Sequence, residues 1–453
     1  MPDAGMSLDE GVRGVEPAAS ETVEVSGRFL DAVSPDRTAL AGLIVYLAIT
    51  AIAPVEPQVD VNLQALSYVA LCYTAFLGGV ALRRMHGSID NLPTPLSIRP
   101  IGLPAYLFVL GVACLGVGLR VIDRFVVRQV ELGDDFAAVR EQLQSTQASL
   151  LSALSAALYP AAFAALITYY LLPARRRSAL LAAAAYLVFL YPAFEAGVQG
   201  SRSLMLISFG FVLQSRQLIL DAFGFLRRPL VFYGGSLVLL YCLFLIFQMR
   251  LEAAGLDIAA SSQTSGYAFT VPPAAWAEDL MASGDPMVRL LASIAVHVTQ
   301  YYCHSGYELM YIFDRLPDRP LFGAYNFFHL FKLVSLLTGD TAVVERVQSV
   351  DIRTGVFATF FVPLFVDFGW LGVPVMFGFG WVCAVLWLAA RRRTAVWFPL
   401  HAYMTIVVFL MPVTTFIVAA QGLYTIVALS LIGIGISLID GAAADGRARI
   451  TAR

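Results

Sequence analysis

Residues 63–82 read LQALSYVALCYTAFLGGVAL, and Arg83 and Arg84 follow at once. Twenty residues without a charge, at 1.5 Å of rise each, match a hydrocarbon core of about 30 Å. A pair of arginines at one end marks the cytoplasmic flank of such a helix. The stretch predicts a transmembrane helix of known direction.

The pattern recurs outward in both directions. Spans are expected near 38–55, 63–82, 101–120, 149–173, 178–195, 203–220, 229–249, 370–390, 395–413 and 416–438. With the N-terminus inside, Arg83 and Arg84, Arg175 to Arg177, Arg227 and Arg228, and Arg391 to Arg393 all fall on the cytoplasmic side, as the positive-inside rule requires. The tail with Arg447, Arg449 and Arg453 joins them, which demands an even number of spans, and ten satisfies it. The expected fold is all-α: a polytopic membrane protein with about ten transmembrane helices and a large extracytoplasmic loop carrying interfacial helices.

Composition points the same way. The 453 residues are 58% hydrophobic and 14% charged, with a mean hydropathy of +0.74, against about 25% charge in soluble proteins. No water-soluble fold hides that much apolar surface. The net charge is −2 and the one lysine is Lys332, so positive charge is placed point by point as arginine. No polybasic surface results, and no nucleic-acid partner is expected. The five cysteines form no C-x-x-C pair and read as packing residues. Residues 1–36 read as a disordered cytoplasmic tail without a cleavable signal peptide, the first span directing insertion. Residues 37–440 form the membrane domain, with an outer loop over about 250–369, and 441–453 a cytoplasmic tail.

Three outer segments hold the polar chemistry. Residues 121–148 carry Asp123, Arg124, Arg128 and Arg140; residues 195–203 make a tight turn; residues 250–370 form the long loop. Within it, residues 286–315 (PMVRLLASIAVHVTQYYCHSGYELMYIFDR) and 320–339 (PLFGAYNFFHLFKLVSLLTG) have helical apolar spacing with His297, His304, Glu308, His329 and Lys332 interspersed. Both suit helices at the membrane surface, apolar side down. The stretch 354–367 reads as a half-inserted helix packed against protein. There is no Gly-rich phosphate loop, no fixed-frame repeat and no matched pair of interrupted spans of the kind inverted-repeat transporters show.

Two motifs stand out: Gly200-Ser201-Arg202-Ser203, opening a span, and T-x-F-x-P-x-x-x-D-F-G-x-x-G at Thr359, Phe361, Pro363, Asp367, Phe368, Gly369 and Gly372. Ile122-Asp123-Arg124 and the run Arg319 to Tyr325 are softer companions. In order and placement the chain resembles the Wzy-type oligosaccharide repeat unit polymerases of O-antigen and exopolysaccharide assembly. The resemblance implies a cytoplasmic (inner) membrane enzyme with both termini cytoplasmic and the helical fold of the lipid-phosphosugar (GT-C-like) glycosyltransferases. It implies metal-independent, inverting transfer of a glycan from a polyprenyl diphosphate onto a second lipid-linked repeat unit, without a cofactor. Its partners would be those lipid-linked donors and acceptors, membrane lipids, a chain-length regulator and a repeat-unit flippase.

A diphosphate leaving group needs cations near its oxygens, and an attacking hydroxyl needs a base. Arginine suits the first task because its planar fork binds phosphate oxygens bidentately. Arg202 is the first candidate, followed by Arg353, Arg124 and Arg250; a snorkelling side chain is the bland reading of Arg202. Asp367, His304, Glu195 and His329 compete as base. Asp367 could equally cap the next span, and His304, beside Tyr301, Tyr302 and Tyr307, could be a packed surface residue. Aromatic residues of the loop, Tyr325 among them, could stack on sugars or form an interface belt. No metal site is evident. A ligase passing a finished glycan to lipid or protein, and a flippase or transporter of lipid-linked saccharide, are the alternatives.

Overall fold

The computed structural model describes residues 23–25, 27–86, 96–98, 100–130, 150–198, 202–219, 262–315, 320–350, 358–391, 395–418 and 422–451, with isolated positions between 234 and 255. Among them, two three-residue strands pair antiparallel, β1 (Val23–Val25) and β2 (Leu96–Ile98), and the other regular elements are helices. In chain order these are α1 (Gly27–Ala32), α2 (Pro35–Ile52), α3 (Leu63–Met85) and α4 (Leu103–Val121), which runs on as a π-helix (Ile122–Val127). Then follow α5 (Leu150–Leu158), α6 (Ala161–Tyr170), α7 (Ala179–Val198) and α8 (Arg202–Ile219). The long connection holds α9 (Ala275–Met281), α10 (Pro286–Ile312), α11 (Phe328–Thr338) and α12 (Ala342–Gln348). The chain closes with α13 (Phe361–Phe368), α14 (Gly372–Arg391), α15 (Phe398–Phe409) and α16 (Gly422–Thr451).

Seven helical stretches among the described residues are long and apolar enough to cross a membrane: Pro35–Ile52, Leu63–Met85, Leu103–Val127, Leu151–Tyr170, Ala179–Gly197, Phe361–Arg391 and Gly422–Gly441. Each overlaps an expected span. Leu204–Ser215 and Phe398–Phe409 are apolar but shorter, and the expected span 229–249 falls outside the continuously described residues. Ile44, Leu71, Leu107, Leu187 and Leu431 lie exposed along these helices. An apolar outer surface is what a helix needs when its solvent is hydrocarbon. The architecture is that of an all-α polytopic membrane protein.

Two expected continuous spans are broken, and a third break falls between the expected half-inserted helix 354–367 and the span 370–390. Pro160 has no N–H to give and its ring opposes a straight helix, so α5 and α6 meet at Tyr159-Pro160. Gly369, at φ +53°, separates α13 from α14. Pro412 disfavours helix in the residue before it, and residues 410–418 leave α15 as turns, with Met411 to Phe416 buried. Their backbone is satisfied by protein: Met411 O accepts from Phe360 N–H at 3.0 Å, Pro412 O from the Ser305 hydroxyl at 3.3 Å, and Phe416 O from the Tyr403 hydroxyl at 2.6 Å.

α3 and α14 cross most closely. A Cβ on Gly79 would stand 2.0 Å from the Phe377 carbonyl oxygen, and one on Gly380 would stand 2.1 Å from that of Phe76. The missing side chains let the two backbones touch, the usual device for helix pairing in lipid. At one end of this pair Trp387 donates to Leu30 O at 2.8 Å and lies between Arg84 and Arg391, 4.7 and 5.4 Å from its ring centre. Arg84 forks onto Asp36 at 2.8 and 2.5 Å, and Arg391 binds Asp31. At the other end Tyr68, Phe313, Phe365 and Trp370 form a ring cluster, with Phe365 4.5 Å from Phe313 and 5.0 Å from Tyr68.

α10 differs from the expected surface helix. His297, Gln300, His304 and Glu308 share one stripe at helical spacing, and all four are buried, while Met287, Leu291 and Val298 are exposed. The polar side faces protein and the apolar side faces out. Tyr46 of α2 donates to Cys303 O at 3.3 Å, and Gly306 leaves room for its ring. Above α10, residues 54–58 pair with 270–274 through Glu56 N–H to Pro272 O, Gln58 N–H to Thr270 O and Ala274 N–H to Pro54 O, at 2.9 to 3.0 Å.

Candidate functional site

The end of α4 carries Arg120, Arg124 and Arg128, four residues apart and therefore stacked along one side of the helix. The π-helical turn continues that side past the end of the α-helix, Arg128 N–H reaching Asp123 O at 3.0 Å. Arg120 is 3% exposed and Glu195, near the end of α7, is 4% exposed. Arg120 Nε lies 2.8 Å from Glu195 Oε1, and Arg124 Nε lies 3.4 Å from the same oxygen. Arg128 Nε lies 3.2 Å from Asp123 Oδ2, and its terminal nitrogen donates to Ser152 Oγ at 2.7 Å. Tyr159, at the α5–α6 break, places its ring 5.2 Å from the Arg120 guanidinium carbon.

Among the described residues, three guanidiniums thus meet two carboxylates in a desolvated cluster. Arginines gathered at low dielectric have the geometry and charge to bind an anion. Arg124 is the most exposed of the three, its side chain 13% accessible against 3% for Arg120 and 7% for Arg128. It is the arm that can turn to a ligand while Arg120 keeps Glu195.

Arg202 opens α8, the next helix after Glu195, and the Met205 methyl would meet a Cβ on Gly197 at 3.4 Å. The ends of α7 and α8 thereby pack together within a few residues of Glu195. Gly200, Ser201, Arg250 and Arg353 lie outside the described residues, so the G-S-R-S turn is placed only through the first turn of α8.

Asp367 and Tyr325 come together, in a different role. Asp367 is fully buried and accepts Tyr325 N–H on Oδ1 at 2.8 Å, and Asn326 N–H and Nδ2 on Oδ2 at 2.8 and 2.5 Å. Leu321 and Phe322 N–H bond to the carbonyls of Val366 and Asp367 at 3.2 and 2.8 Å. The carboxylate holds the turn over residues 321–327, where Phe322 and Gly323 take positive φ, and it caps no helix. Burial, and then Asp367 beside it, push the Tyr325 phenol above its usual pKa. Asp367→Ala is expected to strip hydrogen-exchange protection from the Tyr325 and Asn326 amides, since each bond to a charged acceptor is worth about 1.5–3 kcal/mol. Unchanged protection would remove the clamp.

His304 is fully buried under Tyr267, whose ring centre is 4.2 Å from its own. Its Nδ1 lies 3.0 Å from Gln300 O; a carbonyl only accepts, so Nδ1 donates this bond. Gln300 Nε2 binds the carbonyls of Ser262 and Val271 at 3.0 and 2.9 Å, which holds the covering loop down. His329 of α11 stacks 5.6 Å from Tyr424, and burial, with Lys332 second, lowers its pKa.

Sequence reasoning named Arg124, Arg128, Asp123 and Glu195 but passed over Arg120 and Tyr159. Arg120 ends an apolar run and reads as a flank; its four-residue spacing from Arg124 and Arg128 was the available signal. Among the described residues no group of three or more His, Cys, Asp and Glu side chains is placed to hold a metal ion. Comparison with protein-family models, curated proteins and solved structures finds no match to this chain.

Proposed function

We propose that the protein is a membrane glycosyltransferase that joins polyprenyl-diphosphate-linked oligosaccharide repeat units at the outer face of the cytoplasmic membrane. The observation that carries this reading is the buried gathering of Arg120, Arg124 and Arg128 with Glu195 at the end of a span. The seven long apolar helices and two shorter ones among the described residues, taken with the span expected from the sequence at 229–249, support a ten-span, GT-C-like reading. With Arg84, Arg391 and Trp387 at the cytoplasmic end, the arginine cluster, Glu195, the start of α8 and the long connection belong to the opposite, outer face.

On this reading Arg124, with Arg202 at the positive end of α8, takes the diphosphate oxygens and stabilises the charge that grows as the glycosyl bond breaks. Inversion follows from one direct displacement: the acceptor hydroxyl attacks the anomeric carbon, its proton passes to a base, and lipid diphosphate leaves. On this reading His304 serves as the base once the 262–274 loop lifts. Asp367 and Tyr325 position the loop and do not touch substrate. The transfer is metal-independent and uses no cofactor.

Arg124→Gln is the test. Surface glycan resolved on a gel is expected to collapse from long chains to single repeat units, polymer falling about 100-fold or more, as for loss of one transition-state donor. Unchanged chain length, at equal protein in the membrane, removes the proposal. A flippase is the second reading, favoured by the broken spans and buried ionisable residues. In that case outer-face lipid-linked units would vanish in the variant.

A further inference from the structure

The loop that covers His304 has a second side. Phe269, two residues beyond Tyr267, joins residues 58–64 and the end of α10 around a cleft of about 750 Å³. That is the size of a small-molecule site, about 300–1,000 Å³. The walls mix two chemistries. Phe269 is half exposed and packs edge-on against Tyr311, ring centres 4.9 Å apart; Arg315 covers Tyr311 from 3.9 Å. Asp60, Asn62 and Asp314 also line the cleft.

The polar wall is held in place. Asn62 Oδ1 accepts the N–H groups of Gln64 and Ala65 at 3.0 Å, capping α3, while its Nδ2 donates to Asp314 Oδ2 at 2.9 Å. Carboxylates accept, and amides both donate and accept. A pyranose presents the matching pattern: a C–H face for an aromatic ring and a rim of hydroxyls that donate and accept. Asp60 and Asp314 against Arg315 leave a formal charge of −1 in the cleft, which repels acidic sugars. Val61, Leu63 and Met310 also line the cleft, but a lipid tail or apolar peptide would desolvate Asp60, Asp314 and Arg315 without offering them hydrogen bonds.

We propose that the cleft formed by residues 58–64, Phe269 and the Tyr311–Arg315 end of α10 binds a neutral saccharide. Resting on the polymerase reading, it is the subsite that holds the acceptor repeat unit, with α10 leading from Tyr311 down to His304.

The full chain in nanodiscs, fluorescently labelled, is applied to an array of neutral glycans built from hexoses, 6-deoxyhexoses and N-acetylhexosamines. Retention is expected on a subset of them, weakened at least tenfold by Phe269→Ala and by Asp60→Ala and unchanged by Leu187→Ala, at an exposed position outside the cleft. Both cleft variants replace exposed side chains, and an unaltered melting midpoint verifies their fold. Failure to retain any neutral glycan, or equal retention by both cleft variants, overturns the proposal. So does binding of calcium alone that the same variants abolish, which would make the cleft a cation site. Glycan retention that survives while Arg124→Gln leaves chain length unchanged would sink the polymerase reading and keep the saccharide cleft.

Discussion

Glu195→Ala is expected to destabilise the protein by about 3–5 kcal/mol, the usual cost of removing one partner of a buried ion pair. Arg120 and Arg124 both rest on one oxygen of this carboxylate, and its residue is 4% exposed. Without it, Arg120 and Arg124 lose the carboxylate they share. Neither hydrocarbon nor the packed ring of Tyr159 can solvate the charge so freed. Loss of folded protein in a denaturant series in detergent micelles measures the effect. Arg120→Leu combined with Glu195→Leu is expected to recover part of the loss, because exchanging a whole buried pair for apolar side chains is close to neutral or better. A Glu195→Ala midpoint equal to the parent's would mean that water reaches the cluster, and the argument for a desolvated anion receptor would fail with it.

Gly380→Leu is expected to cost above about 3 kcal/mol, more than ordinary core overpacking, and to cut the yield of monodisperse protein sharply. The Cβ of the new residue would meet the Phe76 carbonyl oxygen at 2.1 Å. A backbone carbonyl inside a helix cannot swing aside as a side chain can, so α3 and α14 must separate along their length. Gly79→Leu should do the same from the other side, against Phe377. Gly378, two residues before Gly380, faces open space; Gly378→Leu is the control and is expected to be tolerated, with a small gain in helix propensity. Equal behaviour of the 378 and 380 variants would show that the crossing is not set by close backbone contact.

Legibility in the sequence differed sharply between spans and site. Runs such as residues 63–82 announce themselves, because a bilayer imposes length and composition on a helix with little regard for its neighbours. Arg84 and Arg391 were readable as flanks for the same reason. The breaks were harder. Pro160 and Pro412 stand in apolar context, and whether a proline kinks a helix, ends it or is tolerated depends on what satisfies the carbonyls around it; around Pro412, Ser305 and Phe360 do so from distant parts of the chain and Tyr403 from α15 itself. The inverted polarity of α10 had its signal in the spacing of His297, Gln300, His304 and Glu308, but spacing does not say which side of the helix meets protein.

Asp367 shows the limit best. Its D-F-G setting allowed a base or a helix cap with equal reason, and the three N–H donors it accepts come from residues 325 and 326, some forty positions away in the chain. Arg120 was hidden in the opposite way: as the last residue of an apolar run it looked peripheral, and only Glu195, 75 residues on, made it the centre of a cluster. Hydropathy and arginine placement, which are local and additive along the chain, were enough for the membrane-type helical architecture. The role of each ionisable group waited on partners brought from far apart, because in a low-dielectric interior a charge is defined by what neutralises it.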